Sequence, residues 1–373
     1  MRTSDSDHLS SAVGRRRFLQ RAVMGALAVP LTPSLLNPLV PSEQGGKPNI
    51  EIISGILAAS SMSSVDITTN GQHRRITLAT NAAIWKGGET TPASLRNGDD
   101  VMIRIVNPAG TAVRLWANLS RVRGVVVGWD KGGYVVQTGG NGTPKQNLLL
   151  ELSPQATFGD AANYAVTGAN PSLAIGFGVD AIGEQIPGGI RATLLYFAPG
   201  SPSGPALPQK PRTDGTAKIQ RVSNGPLTMC YYSYNGYASW FDCANGAGRC
   251  TTCDTSNQYQ LAWPALDTCG CCSVTCCDCS KNCVNQVYLS CGSHVNVSDA
   301  CSSNKLGCTV VSCGPCQEAN CSGCTPARCG ASCSDCAGYT NNIVDLTKPT
   351  FAYFYDPATR GCFSCSVNTT VTC

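Results

Sequence analysis

The stretch CYYSYNGYASWFDC, residues 230–243, opens the part of the chain that decides how this protein folds. All 24 cysteines of the 373-residue chain lie between Cys230 and Cys373, and residues 1–229 contain none. So sharp a boundary predicts two separately folding parts, of which the second is stabilised mainly by its cysteines. Both parts are rich in short β-branched runs separated by turn residues, which predicts an all-β protein with two domains.

The charge of the chain is divided in the same way. Residues 230–373 hold six of the 27 basic and nine of the 23 acidic side chains, so this part carries a net charge of −3 although the whole chain carries +4. A protein surface that binds a polyanion needs the opposite sign. We therefore do not expect nucleic acid to be a partner.

Residues 14–20 (GRRRFLQ) and the apolar run that follows, residues 22–29 (AVMGALAV), form the one targeting pattern in the chain. The pattern resembles the bacterial twin-arginine export signal. It predicts a signal over residues 1–36, a tether over residues 37–49 and an extracellular or cell-envelope location. The alternative is an amphipathic N-terminal helix with a basic face.

The apolar run is too short to span a membrane, which takes about 20 apolar residues, and it is broken by Pro30 and Pro33. No clear cleavage site follows it, so an uncleaved N-terminal membrane anchor stays open. The twin-arginine route carries folded proteins out of a compartment that keeps thiols reduced. The resemblance therefore implies either that disulfides form after export or that a metal holds the cysteines before it.

Residues 50–199 carry repeated strand and turn signals. Asn70-Gly71 lies between two β-branched runs, and Gly132-Gly133 lies between two more. Such pairs are strong signals of a β-hairpin. Residues 95–105 indicate a turn that leads into a further strand, and residues 190–197 indicate the last one. We interpret the whole region as one small antiparallel β-barrel or sandwich, followed by a Pro/Gly/Ser linker over residues 200–216.

Within this region, a strand–turn–strand unit with a glycine just inside its first strand occurs twice, at Gly55 and at Gly124. No catalytic constellation accompanies it. His73 lies beside two arginines and is interpreted as a solvated turn residue. The three tryptophans, which could form a sugar-stacking face, are expected to serve packing instead; they are Trp85, Trp116 and Trp129.

Four motifs of the cysteine-rich part occur in a family order. They are residues 236–241 (GYASWF), 289–297 (LSCGSHVNV), 309–316 (TVVSCGPC) and 343–351 (IVDLTKPTF). The set resembles the double-psi β-barrel of rare-lipoprotein-A-like proteins, expansins and barwin-like proteins. The resemblance implies a double-psi β-barrel over residues 217–373 and a partner that is cell-wall polysaccharide or peptidoglycan.

The sequence departs from this family where the family carries out proton transfer. Its strand Asp is replaced by Val311 or Ser312, and its His is missing from residues 261–264 (LAWP). Glycosidic cleavage needs a titratable group at the bond that breaks. The remaining carboxylate is Asp345, which is either a catalytic residue or the cap of the helix that follows it.

Three functions therefore stay open. The resemblance with these departures favours a wall-polysaccharide binder without catalysis. The first alternative is a lytic transglycosylase-like enzyme that uses Asp345 alone or with Asp335. The second is a structural or barwin-like, protease-resistant surface protein.

Aromatic side chains are the candidates for sugar contact. We select Tyr232, Tyr234, Trp263 and Tyr353, of which Tyr232 and Tyr234 share one face of a strand. Trp263 departs from the family pattern and is expected to be exposed, whereas Trp240 is expected in the core.

Seven Cys-x-x-Cys pairs and an even cysteine count predict a disulfide framework of up to twelve bridges. The candidates for bridges are Cys230, Cys243, Cys250, Cys253, Cys291, Cys308, Cys313, Cys316, Cys362, Cys365 and Cys373. The alternative is zinc held by sulfur alone, because His294 is the only histidine of this part. We expect no other cofactor.

Overall fold

The computed structural model describes residues 49–107, 109–130, 132–140, 143–160, 172–198, 218–223, 228–243, 250, 259–263, 287, 289–313 and 342–372. Over these residues the protein is all-β, with eighteen strands and a single short α-helix, as the sequence predicts. The predicted signal and linker lie outside this range, as does the predicted tether apart from its last residue. No helix in the described ranges combines the length and the apolar character that a membrane span requires.

The first barrel, residues 49–117, contains six strands: β1 (Asn49–Ser60), β2 (Ser64–Thr69), β3 (Gln72–Trp85), β4 (Glu89–Thr90), β5 (Asp100–Asn107) and β6 (Thr111–Ala117). A pairing between β2 and β3 joins five of them into a ring, to which β4 is added at β3. In this ring β3 and β6 run parallel and the other neighbours run antiparallel. The predicted hairpin is confirmed, because Asn70 and Gly71 connect β2 to β3 with φ of 51° and 73°.

The second barrel, residues 119–198, is a closed ring of five strands: β7 (Leu119–Asp130), β8 (Gly133–Gly140), β9 (Thr143–Asp160), β10 (Gly178–Ile186) and β11 (Gly189–Ala198). Its strands pair in the same order as the five ring strands of the first barrel. The pair β9 and β11 runs parallel, as β3 and β6 do in the first barrel. The expected single antiparallel barrel over residues 50–199 is therefore corrected to two barrels in tandem, each with one parallel pair.

The repeated glycine has the same role in both barrels. A Cβ at Gly55 would lie 2.6 Å from the carbonyl oxygen of Thr68 on the neighbouring strand, and a Cβ at Gly124 would clash with the carbonyl oxygen of Gln137 in the same way. Each glycine therefore lets the first strand of its barrel approach the second closely.

The third barrel, residues 218–372, contains seven strands: β12 (Lys218–Ser223), β13 (Thr228–Phe241), β14 (Gln260–Trp263), β15 (His294–Asp299), β16 (Lys305–Cys313), β17 (Asn342–Thr347) and β18 (Cys362–Thr372). A pairing between β13 and β18 closes a ring of six, and β12 extends it at β13. Two pairs in this ring are parallel, β13 with β17 and β14 with β16. Helix α1 (Lys348–Phe354) follows β17 directly.

The third barrel shares its core with the other two. Ile50, Trp85 and Trp116 of the first barrel and Leu119 and Ile182 of the second belong to the same apolar cluster as the centre of the third. Residues 49–373 accordingly form one compact unit. The sequence-based expectation of two separately folding parts did not anticipate this shared core.

Polar contacts reinforce the junction around helix α1. Lys348 at its start is buried and donates to the carbonyl oxygen of Leu119 at 2.7 Å. Arg104 of the first barrel donates to the carbonyl oxygen of Tyr353 at 3.0 Å, and the indole N–H of Trp116 donates to Asp356 at 2.7 Å. Helix α1 therefore contacts the first and second barrels as well as the third barrel, to which it belongs.

Candidate functional site

A buried cluster of charges lies between the second and third barrels. Arg121 in β7 donates from Nε and Nη2 to the two carboxylate oxygens of Asp180 in β10, at 2.8 and 2.6 Å. Its Nη1 crosses to the third barrel and donates to the main-chain carbonyls of Trp240 and Gly361, at 2.7 and 3.1 Å. The guanidinium also lies 5.3 Å from the centre of the Trp240 ring. This one side chain thus joins the two barrels.

Asp345, the predicted catalytic candidate, belongs to this cluster. It lies in β17 opposite Ser239 of β13, and its Oδ1 accepts a hydrogen bond from the Ser239 hydroxyl. Arg123 donates to the same hydroxyl at 3.1 Å, and its Nη1 lies 3.9 Å from Oδ2 of Asp345. Arg123 also donates to Asp180 at 3.2 Å. The carboxylate of Asp345 is therefore held by a neighbouring hydroxyl and a guanidinium.

Asp345 is not the N-cap residue of the helix that follows it. The N-cap of α1 is Thr347, and it makes no side-chain capping hydrogen bond. Asp345 lies two residues earlier, inside the strand, where its side chain turns toward Ser239 instead.

The surroundings of Asp345 do not favour acid–base chemistry. It is 6% exposed, and its carboxylate lies against the Ser239 hydroxyl and beside the guanidinium of Arg123. The residues at the family's proton-transfer positions are apolar or a serine, and Leu261, Ala262 and Val311 are buried. Asp335, the proposed second carboxylate, lies outside the described residues. The described part of the site holds two carboxylates, Asp180 and Asp345, and both are buried beside arginines.

Two of the predicted sugar-binding aromatics contact the chain itself. Trp263 donates from its indole N–H to the carbonyl oxygen of Val287 at 3.0 Å, and the hydroxyl of Tyr234 accepts from the N–H of Val287 at 2.7 Å. The two rings pack edge to face, 5.9 Å apart. Burial raises the pKa of Tyr234 to about 12. These two side chains hold the main chain at Val287 in place.

The predicted exposure of Trp263 is wrong, because it is 0% exposed. Strand β14 lies between β16 and β17 in the ring, so both of its edges are paired. Trp240 is equally buried, as expected.

The other two aromatic candidates, Tyr232 and Tyr353, pack against different rings. Tyr232 is half-buried and stacks parallel to Tyr234, with ring centres 6.4 Å apart. Tyr353, also half-buried, lies on α1 and packs edge to face with Tyr259 at 5.7 Å. The four selected residues therefore do not share one face. On the outer face of β13, Tyr231 is 44% exposed.

The tryptophans of the first two barrels differ in exposure. Trp85 and Trp116 are buried, which confirms their packing role, but Trp129 is 59% exposed. Its ring lies 4.0 Å from that of Tyr134, tilted by 40°. The sequence signal that sets Trp129 apart is its position next to the glycine turn of a hairpin. His73 lies exposed on the hairpin of β2 and β3, as predicted, with its Nδ1 3.2 Å from the Thr68 hydroxyl.

The predicted cysteine pairing is confirmed in part. Cys250 and Cys291 are bridged, and Cys230, Cys301 and Cys362 are also disulfide-bonded. Cys243 is half-buried. The side chain of Cys313 and all of Cys253, Cys316 and Cys373 lie outside the described residues.

The prediction is wrong for Cys308 and Cys365, which are buried free thiols. Both belong to the apolar core. Cys308 lies on the same strand face as Val310, and Cys365 lies on the same strand face as Val367. Burial raises the pKa of both thiols.

No group of three or more potential metal ligands is found among the residues that the structure describes. Six of the seven Cys-x-x-Cys pairs have at least one member outside them, so zinc at those pairs stays a prediction.

No model of a known protein family matches the chain. The curated proteins give no significant match either.

Proposed function

We propose that the protein is an exported cell-envelope protein whose third barrel is a double-psi β-barrel that binds cell-wall polysaccharide without cleaving it. Export is supported by the twin-arginine pattern of residues 14–29. The double-psi identity is supported by the order of the four motifs, together with a six-stranded ring that contains two parallel pairs.

The environment of Asp345 is the observation that carries the non-catalytic part of this proposal. A general acid must reach the glycosidic oxygen. The carboxylate of Asp345 is 6% exposed and lies against the Ser239 hydroxyl and the guanidinium of Arg123, so a polymer does not reach it. Asp345 therefore serves to hold β13 and β17 against the second barrel.

Polysaccharide would then contact Tyr231 on the outer face of β13, which is 44% exposed. The half-buried Tyr232 lies on the opposite face of the strand, beside Tyr234. Tyrosine combines a flat apolar ring with a hydroxyl, which suits the C–H face and the hydroxyl groups of a sugar.

The test is co-sedimentation of the full chain with insoluble peptidoglycan, cellulose and chitin. The full chain is required because the third barrel shares its core with the other two. We expect at least one of the three to deplete the protein, and Tyr231→Ala to weaken that binding while far-UV circular dichroism stays unchanged. The matched control is Met62→Ala, which removes an apolar side chain that is 73% exposed on the first barrel.

A structural surface protein is the second candidate, and one observation favours it. Trp240, Trp263 and Tyr234 are buried in the third barrel instead of forming an exposed stacking face. Absence of binding to all three polysaccharides would favour this candidate over the first.

A further inference from the structure

The hairpin of β7 and β8 in the second barrel ends in an exposed aromatic pair. Trp129 and Tyr134 lie directly opposite each other on the two strands, and their ring centres are 4.0 Å apart. Trp129 is 59% exposed and Tyr134 is half-buried against the barrel core. Exposing so large an apolar side chain does not stabilise a fold.

The first barrel shows that the hairpin does not need these aromatics. Its hairpin of β1 and β2 has the same pairing, with an irregularity at the same place, between Leu57 and Ala59 in one and between Val126 and Gly128 in the other. Counted from the repeated glycines, the positions of Trp129 and Tyr134 correspond to Ser60 and Val65, which are also directly paired. The hairpin of the first barrel thus has a serine and a valine where the hairpin of the second barrel has the two aromatic residues. The aromatic pair is a property of the second copy alone.

We propose that this hairpin tip, defined by Trp129 and Tyr134, is a second polysaccharide-contact site that takes the pyranose rings of a neutral glycan. The proposal rests on the function proposed above and adds the location of a site in a different barrel. The exposed indole face stacks on the C–H face of a sugar ring, and the Tyr134 hydroxyl is available to a sugar hydroxyl.

The chemistry around the tip favours a neutral, hydroxyl-rich ligand. Asp130, next to Trp129, is exposed, and its carboxylate accepts hydrogen bonds from sugar hydroxyls. In the sequence of the turn, residues 130–133 (DKGG), one acidic residue is balanced by one basic residue. A single-stranded nucleic acid also stacks on aromatics, but it needs a positively charged groove along its backbone.

The test compares the wild-type full chain with the double variant Trp129→Ser/Tyr134→Val, which copies the tip of the first barrel. We expect the variant to keep its thermal midpoint and far-UV spectrum and to bind insoluble cellulose, chitin or peptidoglycan about tenfold more weakly, a change that corresponds to about 1.4 kcal/mol. Ile175→Ala is the control, because it removes another exposed apolar side chain of the same barrel, 68% exposed.

Tryptophan fluorescence gives an independent readout in solution. The other four tryptophans are buried, so quenching by acrylamide reports mainly on Trp129. Soluble oligosaccharides of the glycan that binds should protect the wild type from quenching, and Trp129→Phe should lack the quenchable fraction.

The outcomes separate the two proposals. If the wild type binds none of the glycans, the proposed function and this inference both fall. If the wild type binds and the double variant binds equally, only this inference falls. Binding of a thymidine oligonucleotide in place of the glycans would identify the tip as a nucleic-acid contact and would also overturn this inference.

Discussion

Removing Arg121 should destabilise the whole protein far more than removing a comparable surface arginine. The Arg121 side chain is 1% exposed and that of its partner Asp180 is 7% exposed, so water does not screen their pairing. The substitution Arg121→Ala leaves Asp180 paired with Arg123 at 3.2 Å and removes the Arg121 donor from the Trp240 and Gly361 carbonyls. Breaking a buried pair on one side costs about 3–5 kcal/mol. Because Arg123 remains, we expect a loss of about 3 kcal/mol.

The assay is urea unfolding of the full chain under non-reducing conditions, followed by tryptophan fluorescence and far-UV circular dichroism. Arg191→Ala is the matched control, because Arg191 pairs with Glu151 at 3.1 Å while their side chains are 45% and 34% exposed. Such surface pairs contribute less than about 1 kcal/mol. Replacing both partners by apolar residues, as in Arg121→Met/Asp180→Leu, should recover part of the loss. If Arg121→Ala and Arg191→Ala lower the free energy of unfolding equally, the buried cluster does not hold the barrels together as we argue.

Two further predictions concern titratable groups. Iodoacetamide should leave the buried thiols of Cys308 and Cys365 unlabelled in the native protein and label both in urea, as read by peptide mass spectrometry; native labelling would contradict their burial. Burial raises the pKa of four tyrosines from 10.0 to about 12, namely Tyr196, Tyr234, Tyr259 and Tyr355. The unfolded chain loses these protons first, so their contribution to stability is complete below about pH 10 and is lost as the pH rises toward 12. Ultraviolet titration of the folded protein should show at least four late-ionising tyrosines, and ionisation of all twelve near pH 10 would refute the assignment.

Local signals in the sequence predicted the hairpins well. Asn70-Gly71 requires a turn with positive φ at both residues, and nothing outside the hairpin competes with that requirement. The repeated glycines Gly55 and Gly124 also indicated a duplicated unit. Whether one unit closes a barrel by itself depends on the parallel pairing of β3 with β6 and of β9 with β11. These strands are distant in sequence, so the number of barrels could not be predicted.

The environment of the candidate site could not be predicted from local pattern. Asp345 is surrounded by Arg123 and Ser239, which lie 222 and 106 residues before it in the chain. Trp263 was expected at the surface because it departs from the family motif, but its side chain lies in the apolar core of the third barrel. Trp129 was expected to serve packing, but it lies at the end of β7 beside the hairpin turn and is 59% exposed.

The measurement that tests the central claim most directly combines binding and cleavage in one sample. The full chain is incubated with insoluble peptidoglycan, cellulose and chitin in turn, the protein that remains in solution is quantified, and the supernatant is analysed for released sugar fragments by mass spectrometry. The account predicts that one polysaccharide removes the protein from solution, that no fragments appear beyond those of a protein-free control, and that Asp345→Asn binds as the wild type does wherever it remains folded. Fragments that the wild type releases and folded Asp345→Asn does not would contradict it and would identify Asp345 as a catalytic residue.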